Sequence, residues 1–114
     1  MSGTSLSWKD FKKVDIRCGK IITANEFPEA RNPAYILEID FGPDIGIKKT
    51  SAQITDLYTT DELIGEQVFA VVNFPPKQIG PIMSEVLVLG AVEDNGNVIL
   101  IQPERKTKLG TRVS

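Results

Sequence analysis

The chain has 114 residues, a formal net charge of -2 and an apolar fraction of 41%, with one cysteine and no histidine. This length suits one domain, and the composition is that of a soluble globular protein. One cysteine excludes an internal disulfide, and the lack of histidine excludes His-based triad catalysis and imidazole metal sites. We therefore expect a non-enzymatic protein with no metal and no cofactor, in which any basic site is local.

The N-terminus gives no sign of an export signal. Residues 1–7 have neither a basic start nor an apolar stretch of signal-peptide length. No other segment approaches the ~20 consecutive apolar residues that a membrane span needs. We expect a cytoplasmic protein without membrane insertion.

The first predicted elements are a short helix over residues 7–13 and a long strand. Trp8, Phe11 and Val14 recur every three residues after a serine N-cap, which is typical of a helix with one apolar face. From Val14 onward apolar residues alternate with polar ones, and Gly19 interrupts the alternation. We predict a strand that bends at Gly19 and so serves two sides of a small barrel.

Two more strands and a second helix follow. Over residues 35–41 two sets of side chains alternate more regularly than anywhere else in the chain: Tyr35, Leu37, Ile39 and Phe41 against Ile36, Glu38 and Asp40. This pattern predicts a half-buried strand. The third strand, over residues 45–53, carries Lys48 and Lys49, which must point to opposite faces because side chains alternate along a strand. Residues 59–65 combine a capping box with a C-terminal glycine and predict a helix of one to two turns.

The C-terminal half predicts further strands separated by turns. The apolar run 68–72 and the segment 83–91, which contains the apolar run 86–89, are typical of strands, whereas the proline-rich segment 73–81 predicts an ordered loop. Asn95–Gly96 indicates a hairpin whose turn has positive φ at both central positions. The C-terminal extension, residues 98–114, ends in a basic tail that we interpret as mainly solubilising.

This element order predicts an all-β fold, a five-stranded OB-fold barrel with short helices and added terminal elements, in one domain over residues 1–114. An OB-fold binds ligands on its second and third strands and on the loops joining strands one to two and four to five. On that plan four cations converge: Arg31, Lys48, Lys49 and Lys77. The neutral hydrogen-bonding groups beside them include Ser51, Gln53, Asn73 and Ser84. Tyr35 shares the parity of core residues, so we expect it inside the barrel.

Apolar side chains are frequent in the proline-rich loop and the terminal helix. They include Trp8, Phe11, Phe27, Phe74, Pro75, Pro76, Ile79, Pro81, Ile82 and Met83. One interpretation is that they close the barrel ends; the other is a subunit interface or a groove for unfolded peptide. The candidates for a peptide surface are Phe74, Pro76, Ile79, Ile82 and Met83.

Four blocks resemble the CsaA branch of the tRNA-binding-domain family. They are residues 10–21 (DFKKVDIRCGKI), 27–31 (FPEAR), 47–54 (IKKTSAQI) and 71–90 (VVNFPPKQIGPIMSEVLVLG). The resemblance implies a homodimeric OB-fold chaperone, linked to protein export, that binds unfolded or precursor polypeptides. The residues matching the family's nucleic-acid-binding motif are Asn73, Lys77, Met83, Ser84 and Glu85, with Lys48, Lys49, Ser51 and Gln53 on the adjoining strand.

The chain departs from the broader tRNA-binding pattern in two ways. Its proline loop carries fewer cations, and Val86-Leu87 stands where that pattern has a Gly-Met pair. We hypothesise a homodimeric CsaA-like chaperone with a modest tRNA-binding patch. The alternative is a dedicated tRNA-binding module that acts on folded tRNA or together with a synthetase.

Overall fold

Nine β-strands and two short α-helices make up the part of the chain that the computed structural model describes, residues 4–114. In chain order they are α1 (Trp8–Phe11), β1 (Ile16–Glu26), β2 (Tyr35–Asp40), β3 (Ile47–Ala52), α2 (Thr60–Leu63), β4 (Gln67–Val71), β5 (Lys77–Ile79), β6 (Ile82–Ser84), β7 (Leu87–Val88), β8 (Gly90–Val92) and β9 (Val98–Leu100). The predicted all-β class and the predicted order of helices and strands are confirmed.

The main sheet has five antiparallel strands in the order β3-β2-β1-β4-β7 and forms a nearly closed, OB-like barrel. β1 pairs with β4 through residues 16–20 and with β2 through residues 20–26. The prediction that one long strand serves two sides of the barrel is thereby confirmed. The irregularity in β1 lies between Ile21 and Thr23, however, and not at Gly19.

Gly19 has a different role from the predicted bend. A Cβ atom at this position would lie 2.5 Å from Ile39 Cγ2 and 2.7 Å from Phe41 Cδ1. Such distances are shorter than any stable van der Waals contact between carbon atoms, which is about 3.5–4.0 Å. The glycine therefore lets β2 and the residue after it pack tightly against β1.

The core lies inside the barrel, between β1, β2, β4 and α2. Its fully buried residues include Ile21 of β1 and Val68 of β4. Leu37 and Ile39 are also fully buried, as the alternating pattern of β2 predicts. Tyr35 is buried with them, and its hydroxyl donates to the Tyr58 carbonyl oxygen at 2.6 Å. The prediction that Tyr35 belongs to the core is confirmed.

The proline-rich segment differs from the predicted loop. β5 and β6 form a hairpin within residues 77–84, and the segment 83–91 is divided among β6, β7 and β8. The strands are compatible with the prolines because Pro75 and Pro76 precede β5 and Pro81 stands in the turn. Proline breaks a ladder only where its missing N–H would have donated.

The hairpin predicted at Asn95–Gly96 is present and joins β8 to β9. Its turn differs from the predicted type, because Gly96 has a φ of 89° while Asn95 does not have a positive φ. Gly96 N–H donates to the Glu93 carbonyl oxygen at 2.8 Å, and Asn97 N–H donates to Asn95 Oδ1 at 3.0 Å. The asparagine thus stabilises the turn through its side chain.

The C-terminal tail returns to the barrel and runs beside the first part of β1. Gly110 N–H donates to the Cys18 carbonyl at 2.8 Å, Cys18 N–H to the Thr111 carbonyl at 2.9 Å, and Val113 N–H to the Ile16 carbonyl at 2.9 Å. Residues 110–113 therefore act as an extra strand on the edge of β1.

The first helix is shorter than predicted, whereas the second has the predicted length of one to two turns. α1 spans four residues instead of the expected seven, although its serine N-cap is confirmed, since Ser7 Oγ accepts from Asp10 N–H at 3.1 Å. α2 has the predicted capping box, formed by Thr59 and Glu62. Neither helix within residues 4–114 is long and apolar enough to cross a membrane. The expectation for the N-terminus partly concerns residues 1–3, which lie outside the described residues.

Candidate peptide and nucleic-acid site

The barrel closes where β3 meets the residues that follow β6. Glu85 N–H donates to the Lys49 carbonyl at 2.8 Å, and the Glu85 carboxylate Oε1 accepts from Lys49 N–H at 2.9 Å. Ser51 N–H donates to Ser84 Oγ at 3.1 Å. We call this contact, between residues 49–51 and 84–86, the closing seam. Two side chains predicted to bind nucleic acid, Ser84 and Glu85, thus satisfy the backbone of β3.

A buried hydroxyl lies at the centre of the closing seam. Thr50 is fully buried, and its Oγ1 donates to the Val86 carbonyl at 2.7 Å. Since a hydroxyl has one proton, the 2.9 Å contact between Thr50 Oγ1 and Ser84 Oγ is donated by Ser84. Ser84 therefore accepts from one residue of β3 and donates to another, which fixes its rotamer.

Lys48 and Lys49 point to opposite faces, as predicted. Lys49 is exposed on the outer face, while Lys48 has the parity of buried Thr50 and is half-buried. Across the ladder Lys49 is paired with Glu38, whose carboxylate accepts from Thr23 Oγ1 at 2.9 Å. A neighbouring carboxylate weakens the positive potential that Lys49 offers to a phosphate.

A groove of about 610 Å³ runs beside the closing seam. Seven of the predicted site residues line it. The neutral polar ones are Ser51, Gln53 and Ser84, the charged ones are Lys77 and Glu85, and the apolar ones are Phe74 and Ile79. Ligand pockets commonly have volumes of about 300–1,000 Å³. The groove is therefore large enough for several side chains of an extended peptide or for one nucleotide.

Seven other predicted residues do not line this groove. They are Arg31, Lys48, Lys49, Asn73, Pro76, Ile82 and Met83. Asn73 is engaged elsewhere, because its Oδ1 accepts from Asp15 N–H at 3.1 Å and its Nδ2 donates to the Lys13 carbonyl at 2.7 Å. Its amide ties the proline loop to the start of β1.

The loop that carries Arg31 lies next to the tip of the β5–β6 hairpin. A Cβ at Gly80 would be 3.5 Å from Phe27 Cζ and 3.7 Å from the Glu29 carbonyl oxygen. Phe27 is buried at this contact and so is not part of an exposed apolar surface. The two ligand-binding loops of the OB plan are thus neighbours, with Arg31 exposed at their edge.

The opposite wall of the groove was missed in the sequence. It is formed by the β7–β9 region, including Leu87, Val92 and Val98. Val92 is 71% exposed, although it belongs to a paired strand. A signal was available, because β8 and β9 carry apolar residues on both faces, and a two-stranded hairpin with two apolar faces leaves one of them to be covered.

One family model and several curated proteins match most of the chain. The model of a family described as a putative tRNA binding domain matches residues 16–112. Among curated proteins, the methionine--tRNA ligase of Thermococcus kodakarensis is 32% identical over 108 residues, and that of Nanoarchaeum equitans is 35% identical over 108 residues. The match covers 95% of this chain but only 14% and 13% of the two ligases.

Two solved structures share nearly the whole chain. The chaperone CsaA from Bacillus anthracis is 50% identical with a TM-score of 0.92, and the match covers 97% of this chain and 100% of that one. The CsaA chaperone protein from Picrophilus torridus is 49% identical with a TM-score of 0.90, and the match covers 96% and 100%. These similarities confirm the resemblance that the four sequence blocks indicated.

Proposed function

Because the chain belongs to the putative tRNA-binding domain family, and to its CsaA branch, we propose that it is a homodimeric chaperone-like protein with a tRNA-binding surface. Its polypeptide ligands are unfolded or precursor chains. The observation that carries the proposal is the groove, whose lining combines apolar with polar side chains. Such a groove suits an extended chain whose apolar side chains enter while its backbone stays hydrogen-bonded.

The apolar side chains that line the groove support peptide binding. Phe74 is 54% exposed and Leu87 is 49% exposed, and both line the groove with Ile79. Apolar surface of this kind gains free energy when a ligand covers it, at roughly 25 cal/mol per Å². Unfolded chains offer apolar side chains that folded proteins bury, which makes them the ligand class that this apolar surface favours.

The cations nearest the groove support tRNA binding. Lys77 lines it and Lys49 adjoins it through the closing seam. Each phosphate neutralised on a single strand contributes about 0.7 to the logarithmic salt dependence of binding, and on a duplex about 0.9. A site with two to four cations therefore binds tRNA with moderate affinity, and this affinity falls as the salt concentration rises. The methionine--tRNA ligase relatives favour the second candidate function, a dedicated tRNA-binding module acting on folded tRNA or with a synthetase.

A titration of labelled tRNA at low and physiological salt, followed by fluorescence anisotropy, separates these two functions when an unfolded apolar peptide is the competitor. The chaperone proposal expects direct peptide binding that Phe74→Ser weakens about tenfold or more, since burying a Phe is worth about 1.5–3 kcal/mol. Lys77→Gln is the matched control and should weaken tRNA more than peptide. Tight tRNA binding that the peptide never displaces, with no direct peptide binding, would leave only the tRNA-binding module.

The second face of the β8–β9 hairpin supports the proposed homodimer. Val98 faces the groove, so Ile99 faces away, and Ile99 and Ile101 are 43% and 42% exposed. We propose that a second copy covers this face.

Sedimentation velocity should give a dimer for the wild type and a monomer for Ile99→Asp, with Ile47→Asp on the outer face of β3 as control. A monomeric wild type would contradict the homodimer.

We also propose that residues 1–114 form one binding domain, without catalytic activity, in the cytoplasm. The family match extends over residues 16–112, and the buried cluster draws on β1 to β4 and on Leu100 in β9. One cooperative urea transition observed by both fluorescence and circular dichroism would support a single domain. Two separate transitions, or recovery of the protein outside the cytoplasmic fraction of cells, would contradict these points.

A further inference from the structure

The charges of this chain are separated between its ends and its middle. Residues 4–20 and 103–114 carry nine of the 13 cationic side chains and three of the 15 acidic ones. These terminal segments have a net charge of +6, against -8 for residues 21–102, and together they give the chain's -2. The acidic pI therefore hides a strongly basic part of the molecule.

The fold brings these two terminal segments together. Arg112 stands opposite Arg17 in an isolated bridge, and its Nη2 donates to the Lys12 carbonyl at 2.8 Å. Further along, Thr107 N–H donates to Gln67 Oε1 at 3.0 Å while Gln67 Nε2 donates to the Thr107 carbonyl at 2.7 Å. The tail is thus fixed to the barrel along its length. We call the surface formed by residues 8–20 and 104–113 the terminal basic face.

The acidic groups on this face neutralise only part of its charge. Asp10 pairs with Lys13 at 3.3 Å, Glu104 pairs with Arg105, and Asp15 is shared between Arg17 at 2.6 Å and Arg112 at 3.6 Å. The remaining cations of the face are exposed and form no ion pair within residues 4–114: Lys9, Lys12, Lys20, Lys106 and Lys108. Asp40 stands opposite Lys20 in the ladder, so the inference depends on the other four lysines.

We infer that the terminal basic face is a second docking surface for the phosphate backbone of RNA, on a different part of the barrel from the groove. The inference rests on the proposed tRNA binding and extends it, because a folded tRNA is large enough to contact both surfaces. Cations on a backbone that is hydrogen-bonded to the barrel suit a polyanion of fixed shape. An anionic membrane surface is the less suitable partner, because α1 has four residues and offers no long apolar face to insert.

Trp8 gives this surface its own spectroscopic signal. It is the chain's one tryptophan, it is 80% exposed, and it lines a shallow groove together with Lys12 and Arg112. Bases stack readily on exposed aromatic rings and alter their emission. RNA bound to the terminal basic face should therefore change Trp8 fluorescence, whereas RNA confined to the groove beside the closing seam should not.

The test compares two variants of the full chain with equal charge. The terminal variant is K9Q/K12Q/K106Q/K108Q, and the groove-side variant is R31Q/K48Q/K49Q/K77Q. Each changes the net charge from -2 to -6, so any difference between them reports position instead of total charge. Their folding is checked by circular dichroism and urea unfolding, and tRNA affinity is then measured over a range of salt concentrations.

We expect the terminal variant to lower the logarithmic salt slope by about 2 or more, because each lost phosphate contact removes about 0.7–0.9. It should also abolish the tRNA-induced change in Trp8 fluorescence. If the terminal variant keeps the wild-type slope while the groove-side variant loses it, the inference is overturned and the proposed function stands. If wild-type protein binds no tRNA, the proposed tRNA binding has failed before any variant is compared. Binding to phosphatidylserine vesicles without tRNA binding, lost in the terminal variant, would replace RNA by a membrane and overturn the inference.

Discussion

Lys49 and Glu85 exchange two hydrogen bonds across the closing seam, one from backbone to backbone at 2.8 Å and one from the Lys49 N–H to the Glu85 carboxylate at 2.9 Å. In regular antiparallel pairs two backbone groups make this exchange. Here a side chain takes the place of one of them. Glu85 therefore supports the barrel as well as lying in the candidate site, and a binding measurement on a Glu85 variant needs a stability measurement beside it.

Glu85→Ala should destabilise the protein. The Lys49 N–H loses its acceptor at an exposed position, and a typical intramolecular hydrogen bond contributes about 0.5–1.5 kcal/mol to the free energy of unfolding, so we expect a cost near the lower end of this range. Glu85→Gln keeps an acceptor oxygen in the same place and should cost less. Urea unfolding measures both. Equal free energies of unfolding for the alanine variant and the wild type would contradict a structural role for this side chain.

Thr50→Val should cost more than Glu85→Ala, because Thr50 is fully buried. Its hydroxyl donates to the Val86 carbonyl at 2.7 Å and contacts Ser84 Oγ at 2.9 Å, so the valine variant takes the donor from the buried Val86 residue and the acceptor from the half-buried Ser84 hydroxyl. An unsatisfied buried group costs about 1–3 kcal/mol. Thr50→Ser, which keeps the hydroxyl and loses a methyl group, is the control. A valine variant more stable than the serine variant would show that the hydroxyl bonds are dispensable.

The barrel strands could be predicted because their signals are periodic. Leu37 and Ile39 alternate with polar residues along β2, and glycine and proline residues mark the turns on either side. Because side chains alternate along a strand, Lys48 and Lys49 could also be assigned to opposite faces. The site was also predictable in part, since the OB plan and the family blocks together named Lys77 and Phe74, which line the groove.

What could not be predicted depends on contacts without a sequence period. The bonds of Ser84 and Glu85 to β3 join residues more than 30 positions apart through side chains, so no local pattern announces them. The tail from Pro103 onward has no strand alternation, and it is ordered by pairing with β1. Whether its charge lay near the groove or away from it could therefore not be decided from composition.

Gly19→Ala should destabilise the protein through crowding. The added Cβ would meet Ile39 and Phe41 at 2.5–2.7 Å inside the barrel. Overpacking a core costs about 1–3 kcal/mol. Gly46→Ala serves as a comparison, because it adds a Cβ into open space and tests only a positive φ of 84°. If thermal unfolding gives Gly19→Ala the stability of the wild type, the close contact between β1 and β2 in this region is incorrect.

Stability should fall at alkaline pH because of two buried groups. Burial raises the pKa of the Cys18 thiol above its ordinary value of 9.0. Burial, and then the charges of Glu26 and Glu62, raise the pKa of the Tyr35 hydroxyl above 10.0. In both cases the unfolded chain loses its proton at a lower pH than the folded protein. Their contribution to stability is therefore complete below these ordinary values and is lost as pH rises through the folded pKa values.

Urea unfolding at a series of pH values measures this loss. The free energy of unfolding should be flat from neutral pH to about pH 8 and should decline above about pH 9, where the unfolded thiol ionises first. Cys18→Ala should remove the earlier part of the decline, and Tyr35→Phe the later part. Tyr35→Phe also loses the bond to the Tyr58 carbonyl, so the slope with pH decides the outcome and not the absolute stability. A decline of unchanged slope in both variants would show that other groups cause it.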